Sequence, residues 1–190
     1  SDARRCDDPA IHASGRPMTT LTVLVYPAEA ENAFEVARAL RGRESIKVIG
    51  ASSRRGHARF VFDDCIEDAP NIDDAAFDPW LDRLQRDKQI NAFLPTHDHV
   101  AWRIHHAKRP TGLRLIGSSA ATAAICASKL EMTGVLRHFE WHPQVHDATP
   151  ASFPVFAKPD RSAGGKGTAR LDNLKAWTDF FDHHPREHYL

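Results

Sequence analysis

The sequence predicts an α/β protein: a Rossmann-like layer built on a parallel sheet, then a smaller, partial α+β unit. Three observations carry this. Short apolar, β-branched runs alternate with amphipathic stretches from residue 21 to about residue 128, which is the pattern of strand–helix–strand units. Those runs are nearly continuous in apolar residues, as strands covered on both faces are. Beyond residue 128 the pattern changes to two strand-like segments around a glycine-rich loop, which reads as an antiparallel hairpin.

The elements follow in order. Leu21-Thr22-Val23-Leu24-Val25-Tyr26 is the first strand. Ala30, Phe34, Ala37 and Leu40 then recur at helical spacing, with acids leading and bases trailing as the helix dipole favours, and Gly42 ends the helix. Residues 47–51 form the second strand and complete a βαβ unit, whose crossover is right-handed. Residues 59–62 read as a short strand. A helix begins near Asp78-Pro79, with Asp78 as N-cap and Pro79 in the first turn. Residues 90–95 form a strand that Pro95 stops. Residues 98–107 form a helix with Val100, Ala101 and Ile104 inward, and residues 113–117 another strand. Ser118-Ser119 caps an alanine-rich helix ending near Ala127, with Cys126 on its core side.

In the second unit, residues 129–139 read as a helix. Residues 153–158 and 168–171 are strands, and 173–181 is a helix with Leu174, Trp177 and Phe181 on one side. Tyr189-Leu190 reads as the opening of a further strand. The polar stretch 1–20, broken by Pro9, Gly15 and Pro17, reads as a disordered leader.

Composition excludes several functions. The 190 residues hold 25 Lys+Arg against 25 Asp+Glu, a balance that argues against a nucleic-acid protein, since phosphate neutralisation needs a basic face. Arg54-Arg55 and Lys108-Arg109 are too short for a binding groove and read as solvated. No apolar run reaches the roughly 20 residues that span a bilayer. Cys6, Cys65 and Cys126 are too scattered for a disulfide framework or a metal site, and fit free thiols in the reducing cytoplasm.

The first strand–helix turn, Tyr26-Pro27-Ala28-Glu29-Ala30-Glu31-Asn32, contains no glycine, and its glutamates would repel phosphate. A dinucleotide site needs glycines there, so a nicotinamide-dependent oxidoreductase is disfavoured. The loop Asp160-Arg161-Ser162-Ala163-Gly164-Gly165-Lys166-Gly167 is the better phosphate candidate. Glycines let backbone N–H groups converge on an anion, and Lys158 precedes the loop at a strand end. The loop lacks the Ser or Thr of a Walker A motif after Gly165-Lys166, and residue chemistry alone leaves phosphate site and flexible hairpin tip both open. His97 and His99, and the series His138, His142, His146, lack the further ligands of a zinc pattern and read as surface histidines.

Four segments, Phe93-Leu94-Pro95-Thr96-His97-Asp98, Ile116-Gly117-Ser118-Ser119, Ser128-Lys129-Leu130 and the run from Pro154 through Gly167, together resemble the ATP-grasp superfamily, and most of all its carbamoyl-phosphate-synthase-like branch. The resemblance implies a pre-ATP-grasp domain over residues 21–128, framing the acceptor substrate, and an incomplete ATP-grasp small lobe over residues 129–190. It implies that Lys129 and Lys158 contact ATP phosphates, and that Ser162, Ala163, Gly164, Gly165, Lys166 and Gly167 form the lid over them. ATP would activate a small carboxylate as an acyl phosphate for attack by an amine or similar nucleophile. Magnesium would be held by acidic ligands outside this chain, so the chain alone is expected to be inactive. An interrupted lobe would leave a strand edge near residues 168–171 and an apolar helix face at Trp177 and Phe181 uncovered, favouring self-association. The alternative is a non-catalytic nucleotide- or partner-binding module.

Overall fold

The computed structural model describes residues 20–190 except 108, 109, 143, 147 and 163. The expected leader, Cys6, Lys108-Arg109 and Ala163 therefore lie outside the described residues, Thr20 apart.

A five-stranded parallel sheet has the order β3-β2-β1-β4-β5. Its strands are β1 (Leu21–Tyr26), β2 (Ile46–Ala51), β3 (Asp64–Ile66), β4 (Ala92–Pro95) and β5 (Arg114–Leu115). The helices are α1 (Glu31–Leu40), α2 (Phe77–Lys88), α3 (Asp98–His106) and α4 (Ala120–Ala127). β1 runs through the middle, with Leu24 beside Ile49 on one neighbour and Phe93 on the other. Successive side chains leave a strand on opposite faces, and the core divides accordingly. Leu24 and Tyr26 pack with Phe77 and Leu81 of α2 and Val100 and Ile104 of α3. Val23 and Val25 pack with Ala33 and Ala37 of α1 and with Phe62. A strand covered on both faces explains the unbroken apolar run of β1.

The first sheet differs from the sequence reading at two places. Residues 59–62 are not a strand: Ala58–Phe60 is a 3-10 turn, and the edge strand is β3. Phe62 instead turns inward over Gly50, while Phe60 is exposed. Asp78 does not cap α2, which starts one residue before it from Ala76 with no side-chain cap; Asp78 sits in the first turn, where its charge suits the dipole. Ser119 does cap α4, accepting from the Thr122 N–H.

In the second unit, α5 (Lys129–Leu136) is shorter than expected and buries none of its residues. β6 (Val155–Ala157) and β7 (Ala169–Leu171) pair antiparallel around the glycine loop. α6 (Leu174–Phe181) starts at Asn173, whose side chain accepts from the Ala176 N–H. The apolar face expected to lie bare is covered. Trp177 is 8% exposed and packs on Ala157 and Leu171, with Phe181 and Tyr189 beside it, while Leu174 points away to solvent. The expected further strand at Tyr189-Leu190 is a short stretch of pairing beside the end of β6. Leu190 N–H donates to Lys158 O (2.9 Å), Lys158 N–H to Leu190 O (3.1 Å) and Asp160 N–H to His188 O (2.7 Å).

Candidate functional site

The strand order reverses direction at β1 and β4, and open α/β sheets bind ligands outside the carboxyl ends of their strands at such a point. Here that place is a cleft of about 890 Å3. Its floor and one wall come from the segments that follow strands: Tyr26 to Ala30 after β1, Ser52 to Arg54 after β2, Asn71 to Asp73 after β3, and His97 to His99 after β4. The opposite wall comes from α5 and the glycine loop: Lys129, Met132, Arg161, Ser162 and Lys166.

Hydrogen bonds fix the floor. Thr96 Oγ1 donates to Pro27 O (2.7 Å), Thr96 N–H to Tyr26 O (2.9 Å) and Asn32 Nδ2 to Thr96 O (3.0 Å), tying the ends of β1 and β4 together. The Tyr26 hydroxyl donates to Pro70 O (2.9 Å), and burial pushes its pKa up. The Glu29 carboxylate accepts from the backbone N–H groups of His57 (2.9 Å) and Ala58 (2.8 Å). It is held by the chain itself, which answers why an acid sits at this first turn. His99 Nε2 lies 2.8 Å from both oxygens of Asp73, and His97 Nδ1 accepts from the His99 N–H (3.3 Å) as the N-cap of α3.

The opposite wall is built around Lys129. Its ammonium donates to Pro159 O (2.9 Å), Asp160 O (3.0 Å), Ser162 O (3.0 Å) and Ser162 Oγ (3.2 Å). An ammonium has three N–H donors, so the start of the glycine loop fully engages it. The Asp160 carboxylate in turn accepts from Ser128 Oγ (2.8 Å) and the Leu130 N–H (2.9 Å) at the start of α5. The Arg161 guanidinium lies 4.4 Å over the Trp102 ring, joining the glycine loop to α3 of the first unit. Lys166 makes no hydrogen bond or ion pair among the described residues and faces the cleft with a free charge.

The residues singled out by sequence therefore divide. Lys129, Ser162 and Lys166 line the cleft. Gly164, Gly165 and Gly167 form the loop tip with φ of 62°, 72° and 71°, the left-handed region that favours glycine. Lys158 stands exposed at the end of β6, outside the cleft lining, with its backbone paired to Leu190. Cys126 is exposed and lines the cleft rather than the core; Ala123 is the α4 residue that is buried. Sequence reasoning read Arg54 as a solvated residue, whereas it lines the cleft, and did not single out Asn71, Asp73 and Trp102. Arg54 could have been found from its place just beyond a buried strand; Asn71 and Asp73 follow a three-residue edge strand with little pattern of its own.

Among the described residues no three His, Cys, Asp or Glu side chains converge as a metal-ligand set. No helix among them is long and apolar enough to cross a membrane.

The α/β layer with its appended glycine-loop hairpin shares its fold with part of two solved enzymes. The biotin carboxylase domain of 2-oxoglutarate carboxylase from Hydrogenobacter thermophilus, crystallised with MgADP, ADP and bicarbonate, superposes with a TM-score of 0.52 and 16% identity over 85% of this chain and 39% of that one. The L-amino acid ligase from Bacillus licheniformis superposes with a TM-score of 0.55 and 16% identity over 85% of this chain and 41% of that one. At this identity the likeness is one of fold. The chain spans about two-fifths of the length of these structures. Neither protein-family profiles nor curated protein sequences give a match to it.

Proposed function

We propose that this chain forms part of an ATP-dependent ligase of the ATP-grasp type, one that activates a small carboxylate as an acyl phosphate for attack by an amine or similar nucleophile. The observation that carries the reading is the cleft: its charged residues on the α5 and glycine-loop side, Lys129, Arg161 and Lys166, are all basic and face the carboxyl ends of β1, β2 and β4. ATP phosphates would lie on that basic side, with Lys166 and the loop amides stabilising charge on the transferring group, and Lys158, outside the cleft lining here, swinging in from the end of β6. Lys129 would exchange some of its loop carbonyls for phosphate oxygens.

In the reaction, a carboxylate oxygen bonds to the γ-phosphorus as the bond to the ADP oxygen breaks. The amine then bonds to the acyl carbon, and phosphate leaves with the electron pair of the C–O bond. The glycine loop would cover the acyl phosphate and keep water out. Magnesium belongs to this reading, but the described residues supply no ligand set for it, and no step here is assigned to it. The same observation favours a chain that binds nucleotide without turning it over by itself, the role of a binding module. A cytoplasmic setting and association between copies go with this reading.

The test is a calorimetric titration of the chain with ATP. Binding near the millimolar range, about 4 kcal/mol, is expected, weakened by both Lys166→Ala and Lys158→Ala. ATP binding indifferent to both substitutions would overturn the phosphate assignment.

A further inference from the structure

Arg54 and Arg55 are neighbours in sequence and both exposed, but they differ in pairing. The Arg55 guanidinium donates to Asp68 (3.2 Å) on the exposed surface. Arg54 lines the cleft, and its guanidinium has no hydrogen bond or ion pair among the described residues. Its backbone is nevertheless well held. Arg54 N–H donates to Ser52 Oγ (3.3 Å), and Ser52 is 3% exposed. Ser52 N–H donates to Ile66 O (2.8 Å), and Ser52 O accepts from Ala69 N–H (3.0 Å). A permanently charged, planar donor fork therefore stands unpaired on an anchored turn, at the carboxyl end of a buried strand.

We infer that Arg54 is the carboxylate-binding residue of the cleft, an assignment that rests on the ligase reading above. An unpaired guanidinium matches a carboxylate or a phosphate by two parallel N–H···O bonds. The surroundings select between them. Glu29, Asp73 and Asp98 also line the cleft, and their field opposes a multiply charged phosphate more than a singly charged carboxylate. The basic side opposite, with Lys166 and Arg161, is the better place for polyphosphate. The acid to be activated would thus be held from the first unit while the nucleotide is held from the second.

The test follows the arginine Nε–H signals by NMR while the chain is titrated separately with propionate, propionamide and ADP. Propionate should shift Arg54 and the amides of residues 52–54 and leave Arg55 in place. Propionamide, of the same shape without charge, should shift neither. Arg54→Gln should weaken propionate binding about tenfold, the worth of one charge-assisted pair, and Arg55→Gln should not. The assignment falls if propionate moves Arg55 as much as Arg54, if Arg54→Gln binds propionate like the parent, or if ADP rather than propionate shifts Arg54. Failure of ADP to perturb the Lys166 loop, with the propionate response intact, would sink the ligase reading and leave Arg54 a carboxylate site.

Discussion

The carboxylate of Glu29 occupies the space that a β-carbon on Gly56 would need: such an atom would fall 2.6 Å from Glu29 Cδ. The missing side chain lets the acid reach the N–H groups of His57 and Ala58 and hold the turn after β2 against the turn after β1. Gly56→Ala should push the carboxylate off both donors. Because the obstructed group is the end of a flexible side chain, steric strain is small and the loss is that of the hydrogen bonds, about 1.5–3 kcal/mol. Glu29→Ala should cost a similar amount, and the double variant should be less than additive. Urea denaturation of the three proteins measures this; additive losses would show that the two residues act independently.

Gly50 makes a different demand. A β-carbon there would lie 2.6 Å from Cγ of Phe62, a buried ring atom with nowhere to move. Gly50→Ala should destabilise by about 1–3 kcal/mol through overpacking, and Phe62→Leu should recover part of the loss in the double variant. A Gly50→Ala protein with the parent's melting temperature would contradict this packing.

The same two glycines show what could be read from sequence. The buried strands β1, β2 and β4 were legible because a strand covered on both faces writes its burial as an unbroken apolar run. β3 was not. It is a three-residue edge strand, Asp64–Ile66, with too little pattern to register, while the more apolar Phe60-Val61-Phe62 drew the strand reading to itself. What fixes those residues is the space beside Gly50, a tertiary fact. The cleft was half legible for a similar reason. Its glycine loop is one continuous stretch, but Arg54, Asn71, Asp73 and His97 come together only through the parallel strand order. Cys126 was misplaced because an alanine-rich helix has no strong apolar stripe to show which side faces inward.

Stability should fall at alkaline pH. Burial raises the pKa of Tyr26, and burial followed by the charges of Glu67, Glu29 and Asp64 raises that of the Cys65 thiol. In both cases the folded state holds the proton more tightly than the unfolded chain. The resulting stability is complete below the ordinary values, about 8.5 for a thiol and 10 for a phenol, and is lost as pH rises through the folded-state values. Cys65→Ala should flatten the first part of the decline and Tyr26→Phe the later part. Chemical denaturation at pH 7, 9 and 10.5 resolves the two. The exposed Cys126 should also react with iodoacetamide well before Cys65.

Lys129 is engaged four times by the loop it faces, so its first role in this structure is to hold residues 159–162 in place. Lys129→Met keeps the stem of the side chain and removes the donors. It should release the loop, raise hydrogen exchange across residues 160–167, and cost about 1–3 kcal/mol for acceptors left without partners. If exchange in the loop is unchanged, the carbonyls are satisfied without the ammonium.

Arg161 and Trp102 set how the glycine loop meets the first unit. The guanidinium lies 4.4 Å above the indole, and the indole stands between His99 (5.7 Å) and His106 (5.2 Å) along α3, so the ring has little freedom to follow the loop if the loop lifts. Lifting the loop therefore breaks the cation–π contact, which is worth about 0.5–2 kcal/mol. Trp102→Leu keeps an apolar side chain on α3 and removes the π face. It should speed hydrogen exchange in residues 160–167 with little effect on β4, residues 92–95, in the sheet. ATP binding should weaken by about two- to fivefold, because the nucleotide must then order a looser loop. Arg161→Ala should weaken ATP more than this, since it removes a cation from the cleft as well as the latch. The double variant separates the two effects. If Trp102 acts only through Arg161, the double variant binds ATP like Arg161→Ala alone, whereas a further loss on adding Trp102→Leu would show that the indole supports the cleft by another route.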